Sequence, residues 1–500
     1  MLFPEKGKPM RYKIGVDIGT TSTKVVLYDE NLEAIAISNI KYATYHEEPG
    51  YAEQDPEEIL LAFKKAMKEV LVKIGHDSQN VSLISFSSAM HSLILMDRFH
   101  KPITRSVIWS DNRCVKEVET FKAENNWKKL YENTGTPIHS MSPFFKLKWF
   151  EKHTDLLERT YKAIGIKEFI FHHLTGEYVV DYSVASATGL FNIHDLTWDM
   201  EALSYLNIED DMLSKPVDVT CCLSPTNIEF LTDLNLPADV KLMVGASDGC
   251  LANLGSQAMV KGETTLTIGT SGAVRMTVNK PILDKEGRTF CYYLSKDKWV
   301  IGGAINNGGN NLSWLDGILY ENEGMLYERL PMSINHIPIG SDELLFVPYL
   351  YGERAPHWDG SLRASYIGVT AYHEKAHFVR AALEGILFNL REVWTLLEEL
   401  GGKSTMIKAS GGFLQSQEWS GMLADIFGMN YEVSTSLESS CLGAVLLSEK
   451  NFLLENSSRI RKNICYSEER HDEYEKYYER YLWFSKKLIK LHEESQIIFK

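Results

Sequence analysis

A polar turn between two apolar, β-rich runs is the first feature of this 500-residue chain that suggests chemistry; it begins at Asp17 and reads Asp-Ile-Gly-Thr-Thr-Ser-Thr-Lys. Glycine lets a backbone approach a ligand closely, and successive turn amides form a nest that binds anions. The side chains that would add donors to such a phosphate site are Thr20, Thr21, Ser22 and Lys24. Asp17 is suited to hold Mg²⁺ through water, because Mg²⁺ favours few carboxylates together with phosphate oxygens. The same residues also fit an ordinary hairpin with a surface aspartate, and the spacing of a Walker loop is absent.

A second turn repeats the first. Ile-Gly-Thr-Thr-Ser, which starts at Ile18, recurs as Ile-Gly-Thr-Ser-Gly, which starts at Ile268 and again lies between β-rich runs. A repeat of this kind predicts two similar domains that face each other. Each domain would then offer one hairpin turn. The first turn would bind a triphosphate from one side, and Gly269 and Thr270 of the second turn would bind it from the other.

Asp248 is the candidate general base. It lies in a predicted turn, Gly-Ala-Ser-Asp-Gly at 245–249, directly after the predicted strand 240–244, and the small neighbours leave room for a substrate. A carboxylate at the end of a buried strand is well placed to accept a proton from a hydroxyl group. Asp is also a common helix cap, and the sequence fits a cap on a helix starting at Gly249 equally well.

Two further polar clusters interrupt apolar strands and would form the floor of a sugar site. The candidate substrate contacts in them are Met90, His91 and Asp111. A histidine satisfied in the core and a salt bridge in a loop are the corresponding structural alternatives. The Gly-Gly turn at 411–412, followed by Gln415 and Ser416, would bring backbone close to a nucleotide, although a bare Gly-Gly turn is a weak signal.

The elements that would position these residues can be read from hydrophobic period and capping signals. Strands are predicted at 81–86, 91–96, 264–268, 274–278, 290–294 and 298–303, in addition to the runs around the first turn. Asp55, Pro56 and Glu58 predict a helix start, and that helix should reach Ile74. Further helices are predicted at 375–399 and 416–427, and the polar tail, 470–496, should form a packed terminal helix.

Composition excludes several classes of protein. The formal net charge is −15, which argues against a general nucleic-acid binder. Apolar residues make up 44% of the chain, so disorder is not expected, and no stretch has the roughly 18 apolar residues of a membrane helix. Seven scattered cysteines without a CxxC spacing, and no apolar leader at Met1 to Lys6, predict a cytoplasmic protein without disulfides or zinc.

Together these residues resemble the FGGY family of carbohydrate kinases, from about residue 12 to 450. The stretch 141–150, with its Pro, Lys and Trp, looks like the N-terminal signature of the family, and 364–384 looks like the C-terminal one. The resemblance implies an α/β, two-domain actin-like or hexokinase-like ATPase fold with ribonuclease H-like domains. The N-terminal domain would span 1–255 and the C-terminal domain 256–500, with the active site in the cleft between them.

The resemblance also implies roles and ligands, namely ATP, Mg²⁺ and a small sugar or sugar acid. Asp248 matches the catalytic base, Asp17 the carboxylate associated with magnesium, and Met90, His91 and Asp111 the sugar contacts. The positions that match nucleotide-binding residues are Thr20, Thr21, Ser22, Lys24, Gly269, Thr270, Gly309, Ser313, Gly412, Gln415 and Ser416. Ser416 replaces an Asn found in some members, which weakens its assignment to the adenine. Because family members often form dimers, a homodimer is implied as well.

Within the family the chain is most similar to gluconate kinases, through stretches such as 85–92 and 181–189. The implied reaction converts ATP and D-gluconate to ADP and 6-phosphogluconate. The alternatives are a kinase for another sugar or polyol, such as D-xylulose, and a non-catalytic ATP-binding regulator or chaperone-like ATPase on the same fold. A gluconate carboxylate needs a cationic or donor-rich pocket, and the sequence offers His91, Arg113, Arg354 and Lys146 without a choice among them.

Overall fold

The structure is a computed structural model, and it describes residues 10–124, 126–321, 324–433, 438–449 and 462–498. Met1 to Lys6, on which the prediction about a leader rests, lie outside the described residues.

The chain alternates strands and helices in both halves. In chain order the strands are β1 (Tyr12–Ile18), β2 (Ser22–Tyr28), β3 (Ala34–Lys41), β4 (Glu53–Gln54), β5 (Val81–Ser88), β6 (Ile94–Met96), β7 (Ser106–Val107), β8 (Lys162–Ile164), β9 (Val179–Asp181), β10 (Phe191–Asn192), β11 (Thr197–Trp198), β12 (Lys215–Val217), β13 (Cys222–Leu223), β14 (Lys241–Ser247), β15 (Glu263–Ile268), β16 (Gly272–Val278), β17 (Phe290–Ser295), β18 (Lys298–Ile305), β19 (Leu345–Val347), β20 (Ser365–Ile367), β21 (Met406–Ser410), β22 (Tyr431–Val433) and β23 (Asn463–Ile464). The α-helices are α1 (Pro56–Leu71), α2 (Val115–Glu124), α3 (Trp127–Thr134), α4 (Pro143–His153), α5 (Ile166–Thr175), α6 (Tyr182–Ala185), α7 (Met200–Tyr205), α8 (Ile228–Asp233), α9 (Asp248–Gly255), α10 (Gly309–Tyr320), α11 (Met325–His336), α12 (Lys375–Gly401), α13 (Gln417–Phe427), α14 (Ser439–Leu446) and α15 (Glu468–Ile498).

Each half of the chain builds one large mixed sheet, and the two sheets have equivalent topology. The first has the order β13-β14-β5-β1-β2-β3 and the second β17-β18-β16-β15-β21-β22-β23. In both, an antiparallel hairpin (β1-β2 or β15-β16) is extended on one side by an antiparallel strand (β3 or β18). On the other side two parallel strands follow, β5 and β14 in the first sheet and β21 and β22 in the second. The repeated turn in the sequence is thus the tip of the equivalent hairpin in each sheet.

Most predicted elements are present, with shifted ends. Asp55 caps α1 by accepting a hydrogen bond from the Glu57 amide, but the helix ends at Leu71 instead of Ile74. Glu58 accepts from the Tyr45 hydroxyl at 2.7 Å. The strand predicted at 91–96 begins only at Ile94, because the preceding residues form the floor of a cavity described below.

The terminal helix α15 is anchored by tyrosines although its charged residues are mostly exposed. Tyr474, Tyr478 and Tyr481 are buried beside Phe388 of α12. The Arg380 guanidinium donates to the Tyr474 hydroxyl at 2.9 Å, which ties α15 to the same helix. The tail is therefore part of the second half's core, as its sequence predicted.

Helix α14 belongs to the second half in sequence but packs on the first sheet. Its Ala444 carbonyl accepts from the Ser85 hydroxyl of β5 at 2.6 Å. A Cβ atom on Gly15 of β1 would lie 2.3 Å from the Cys441 carbonyl oxygen, so glycine is required for this approach. The contact joins the two halves directly behind the first polar turn.

All seven cysteines carry free thiols, four of them buried. Within the described part of the chain, no helix is both long and apolar enough to cross a bilayer.

Candidate active site

A cavity of about 240 Å³ lies between the two halves of the molecule. Both halves contribute to its wall, which consists of Thr20, Ala89, Met90, His91, Trp109, Met141, Asp248, Thr267, Ser271, Gly272, Ala273, Arg275, Phe290, Tyr292, Ala304, Arg354 and Trp358. Aromatic faces with a few polar groups are typical of a site for a small polar ligand.

Asp248 is held in this wall by an irregular strand. The predicted turn at 245–249 is instead the end of β14, where a bulge at Gly245 interrupts the pairing with β5. Gly245 has φ 68°, and a Cβ atom there would lie 1.7 Å from the Phe86 carbonyl oxygen. Asp248 follows as the first residue of α9, whose N-cap residue is Ser247. The structure therefore does not show Asp248 as the cap of a helix that starts at Gly249.

Burial raises the pKa of Asp248 to about 6, and the nearby Asp17 carboxylate adds to the rise. The charge of Arg275 partly offsets the effect, and so does the Gly249 amide, which donates to one carboxylate oxygen at 2.6 Å. A carboxylate with a pKa near neutrality is matched to accepting a proton from a hydroxyl group during a reaction.

The first polar turn borders the cavity through Thr20, whose hydroxyl accepts from the Trp109 indole at 3.0 Å. Thr21 is exposed and Ser22 half-buried beside it. Asp17 accepts from the Ser87 hydroxyl at 2.7 Å and from the Ser440 hydroxyl of α14 at 2.8 Å.

Lys24 does not extend into the cavity wall. Its ammonium forms an ion pair with Glu438, the residue just before α14, at the same junction between the two halves. This pairing raises the pKa of Lys24 against the lowering effect of burial.

The second polar turn meets the start of α10. The Gly309 amide donates to the Gly269 carbonyl at 2.8 Å, and the Asn310 amide donates to the Thr270 carbonyl at 3.1 Å. Gly269 and Thr270 are exposed, so their faces are open to a ligand. Ser313 lies one turn further along α10, where its hydroxyl is 3.4 Å from the Gly309 carbonyl oxygen.

The Gly-Gly turn at 411–412 lies between β21 and α13, outside the cavity wall. Gly412 and Gln415 are exposed in a short 3₁₀ turn. Ser416 caps α13, because its hydroxyl accepts from the Trp419 amide at 3.2 Å. Its side chain thus has a structural partner at the helix N-terminus.

Met90 and His91 line the cavity as predicted, but Asp111 is not in its wall. The Asp111 carboxylate is fully buried and accepts from the Ala52 amide at 2.7 Å. It also forms a 2.8 Å ion pair with Arg113, which is the salt-bridge alternative noted from the sequence. Arg113 is in turn paired with Glu53 and covers the Tyr51 ring.

His91 is held in an unusual backbone conformation, with φ 70°. Its Nδ1 atom lies 2.7 Å from the Ala187 carbonyl oxygen. Burial, with the charge of Lys146, lowers the pKa of His91 to about 3, so the ring is neutral at physiological pH. His91 can exchange hydrogen bonds with a sugar hydroxyl but offers no charge to a carboxylate.

Lys146 has a structural role behind the cavity. Its ammonium is fully buried and donates to the carbonyl groups of His91 (2.5 Å), Val107 (3.1 Å) and Ile108 (2.8 Å). Burial lowers its pKa to about 7. This lysine therefore fixes the loops that carry the cavity floor and does not face a ligand.

We expect Lys146→Met to destabilise the protein, because three buried carbonyl groups would lose their donor. The free energy of unfolding should fall by about 2–4 kcal/mol. The KM for the sugar substrate should rise as well, since His91 would lose its backbone support. Thermal unfolding and steady-state kinetics check both effects. Lys152→Met, the same change at an exposed site of helix α4, should alter neither; equal stability of the two variants would contradict the role of Lys146.

Two arginines face the cavity, and only one of them was singled out from the sequence. Arg354 lies over the Trp109 ring at 4.6 Å and donates to the Ile305 carbonyl at 3.0 Å. Arg275, from β16, was not identified from the sequence. The signal that could have identified it is a single charge inside an otherwise apolar strand, directly after a candidate ligand-binding turn.

The arrangement around Asp17 fits a magnesium ion that binds mainly to phosphate and water. Asp17 is half-buried, and its recorded partners are two hydroxyl groups rather than a cation. No cluster of three or more His, Cys, Asp or Glu occurs among the described residues. One carboxylate with hydroxyl support is the donor set expected where Mg²⁺ arrives with a nucleotide.

The fold and this site define a carbohydrate kinase. Models of the N-terminal and C-terminal domains of the FGGY family of carbohydrate kinases match residues 12–255 and 264–449. The chain belongs to this family, and its fold is the predicted two-domain, actin-like ATPase fold. It is therefore an ATP-dependent sugar kinase.

Several individual sugar kinases are similar to this chain over most of its length. A gluconokinase of Bacillus subtilis is 44% identical over 446 residues, which covers 87% of this chain and 86% of the relative. A solved xylulose kinase from Lactobacillus acidophilus superposes with a TM-score of 0.92 at 34% identity, covering 97% and 99% of the two chains. A gluconate kinase from the same organism gives a TM-score of 0.91 at 34% identity, covering 96% and 98%.

Proposed function

We propose that this kinase transfers the γ-phosphoryl group of ATP to the terminal hydroxyl of D-gluconate, producing 6-phosphogluconate and ADP. The observation that carries the proposal is the position of Asp248 in the wall of a cavity that both Gly-Thr turns border or flank. The identity to gluconokinases supports gluconate over other sugars.

In the proposed reaction Asp248 accepts the proton of the terminal hydroxyl. The hydroxyl oxygen bonds to the γ-phosphorus while the bond from that phosphorus to the bridging oxygen breaks, which leaves ADP. Because the transition state of phosphoryl transfer is loose, the proton moves late and positioning contributes most of the rate. A bound Mg²⁺ would neutralise phosphate charge, and Asp17 would hold it through water.

The remaining site residues would bind and orient the two substrates. The phosphate contacts we propose are Thr20, Thr21, Ser22, Lys24, Gly269 and Thr270, and the nucleoside contacts are Gly309, Ser313, Gly412, Gln415 and Ser416. Residues 1–255 and 256–500 would act as two domains whose closure excludes water and limits ATP hydrolysis. Met90 and His91 would contact the sugar.

The charge of the cavity favours a sugar acid over a neutral ketose. Its wall contains two arginines, and among the described lining residues Asp248 is the single carboxylate. Both substrates are anions, and the whole chain has a net charge of −15, so attraction must be local.

D-xylulose is the second candidate, because the L. acidophilus xylulose kinase has the same fold over almost the whole chain.

An ADP-release assay over D-gluconate, D-xylulose, glycerol, D-ribulose and no sugar tests the proposal. We expect the highest kcat/KM for gluconate and little turnover without sugar. A preference for xylulose would replace the substrate. ATP turnover independent of sugar would favour a chaperone-like ATPase, and the absence of turnover with every sugar would favour the non-catalytic regulator.

We expect the kcat/KM for gluconate to depend on one group with a pKa of about 6. Asp248 accepts a proton only when it is ionised, so below its raised pKa the active fraction falls by about tenfold per pH unit. Above pH 7 the profile should be flat. Measurement from pH 5 to 8 at saturating magnesium and ATP checks this; a profile that stays flat down to pH 5 would contradict it.

A further inference from the structure

Arg275 is a cation without a partner in the wall of the cavity. The structure records no hydrogen bond, ion pair or aromatic contact for its guanidinium among the described residues, and its Nε atom is buried without an acceptor. The side chain crosses Gly249, where an ideal Cβ atom would lie 3.0 Å from Nε. Burying an arginine in this way is costly unless an anion pairs with it.

Arg354, the other arginine of the wall, already has protein partners. Besides Trp109 and the Ile305 carbonyl, its backbone is tied to Glu353. Glu353 accepts further hydrogen bonds from Asn306, Asn307 and Asn389, so the loop that carries Arg354 is fixed. Its guanidinium makes no ion pair with a described carboxylate, and its buried Nε atom lacks a hydrogen-bond partner.

The two arginines line the same cavity, and the charge of Arg275 lowers the pKa of Arg354 together with the larger effect of burial, against the raising effect of Glu353. Two like charges therefore share one enclosed space. In the described structure, no carboxylate oxygen of Asp248 lies within 4 Å of a guanidinium nitrogen of either arginine. Asp248 must also stay free to accept a proton. One positive charge in the cavity is thus left for a ligand.

We propose that Arg275 binds the carboxylate of the sugar substrate and selects sugar acids over neutral sugars and polyols. The proposal rests on the proposed function and deepens it by naming the residue that recognises the acid. The two terminal nitrogens of a guanidinium match the two oxygens of a carboxylate, a geometry that a lysine ammonium cannot copy. Arg354 borders the same space and adds positive potential.

The other candidate cations are occupied. Arg113 is paired with Asp111 and Glu53, Lys146 donates to three carbonyl groups, and His91 is neutral. Arg275 is the described cavity cation that has neither a hydrogen bond nor an ion pair; its charge lowers the pKa of Asp248 without contacting that carboxylate.

The test compares D-gluconate with D-glucitol, which has a CH₂OH group in place of the carboxylate, in the wild type, Arg275→Gln and Arg275→Lys. For Arg275→Gln we expect kcat/KM for gluconate to fall by about 100-fold, mainly through KM, because one ion pair is lost. At pH 8 Asp248 stays ionised although the substitution removes a charge that lowers its pKa, so the value for glucitol should change by less than about threefold. Arg275→Lys should lie between the wild type and Arg275→Gln. Calorimetric binding of gluconate without ATP should weaken in parallel.

Arg105→Gln serves as the matched control, since it removes the same charge from an exposed pair with Glu47. It should leave the ratio of gluconate to glucitol unchanged. If Arg275→Gln unfolds, Arg275→Lys and its calorimetric titration decide the matter alone.

Two outcomes overturn the assignment separately. If the wild type phosphorylates gluconate and Arg275→Gln keeps the wild-type ratio of gluconate to glucitol, the role of Arg275 is wrong while the proposed function stands. If the wild type prefers neutral sugars and binds no gluconate, both proposals are wrong.

Discussion

Asp248→Asn should lower kcat by about 10²- to 10⁴-fold while both substrates still bind, because an amide cannot accept the proton of the terminal hydroxyl. The substitution keeps the size of the side chain and the hydrogen bond from the Gly249 amide. The measurements are steady-state kinetics and calorimetric titration with gluconate and with ATP. The dependence of kcat/KM on a group with a pKa of about 6 should disappear in the same variant.

Stability separates this expectation from a folding defect. Burial raises the pKa of Asp248, so at neutral pH the folded protein holds a costly charge. Removing that charge should leave the Tm unchanged or raise it, as expected where a functional group is kept at the expense of stability. Asp239→Asn, the same change at an exposed site just before β14, is the matched control and should retain full activity. Near-normal turnover in Asp248→Asn would refute the base assignment.

The sequence predicted the hairpins well because their signals are local. Alternation, a Gly-Thr tip and its repetition after 250 residues define two equivalent sheets, and these are what the structure contains. The turn predicted at 245–249 was wrong for a physical reason. Glycine there relieves a 1.7 Å approach to the Phe86 carbonyl, a long-range contact that the local pattern cannot reveal.

The residues of the site were harder to predict, because charge in a sequence does not reveal its partner. Asp111 and Arg113 lie two residues apart and neutralise each other, so neither carries its charge into the cavity. Arg275 has no such neighbour in the sequence. Whether its charge is available to a ligand depends on the residues across the cleft, which the sequence alone does not identify. Lys146 stood out through its motif, yet only the three carbonyl groups around it identify a structural role.

Gly443→Ala should lower both stability and activity, because helices α9 and α14 cross at backbone distance. A Cβ atom on Gly443 would lie 2.1 Å from the Leu251 carbonyl oxygen, and one on Gly255 would lie 1.8 Å from that of Ser439. The helices must separate to admit a methyl group. We expect the free energy of unfolding to fall by about 3 kcal/mol, the upper range for overpacking.

The loss of activity should exceed what the loss of stability explains. The N-terminal end of α14 carries Ser440, which donates to Asp17, and follows Glu438, which pairs with Lys24. Moving α14 away from α9 therefore displaces the partners of the proposed magnesium and phosphate residues. At a temperature where the variant is fully folded, we expect kcat to fall by about tenfold or more with a raised KM for ATP, since misplacement by about 1 Å weakens catalysis strongly.

Gly421→Ala is the control that isolates the contact from the residue type. Gly421 lies inside α13 with open space where a Cβ atom would be placed. Alanine there should stabilise the helix by about 0.5–1 kcal/mol and leave kinetics unchanged. A loss of stability in Gly443→Ala together with a gain in Gly421→Ala is the result expected if the close crossing of α9 and α14 joins the halves of the molecule. Equal Tm values for Gly443→Ala and Gly421→Ala would show that this crossing tolerates separation and does not position the site.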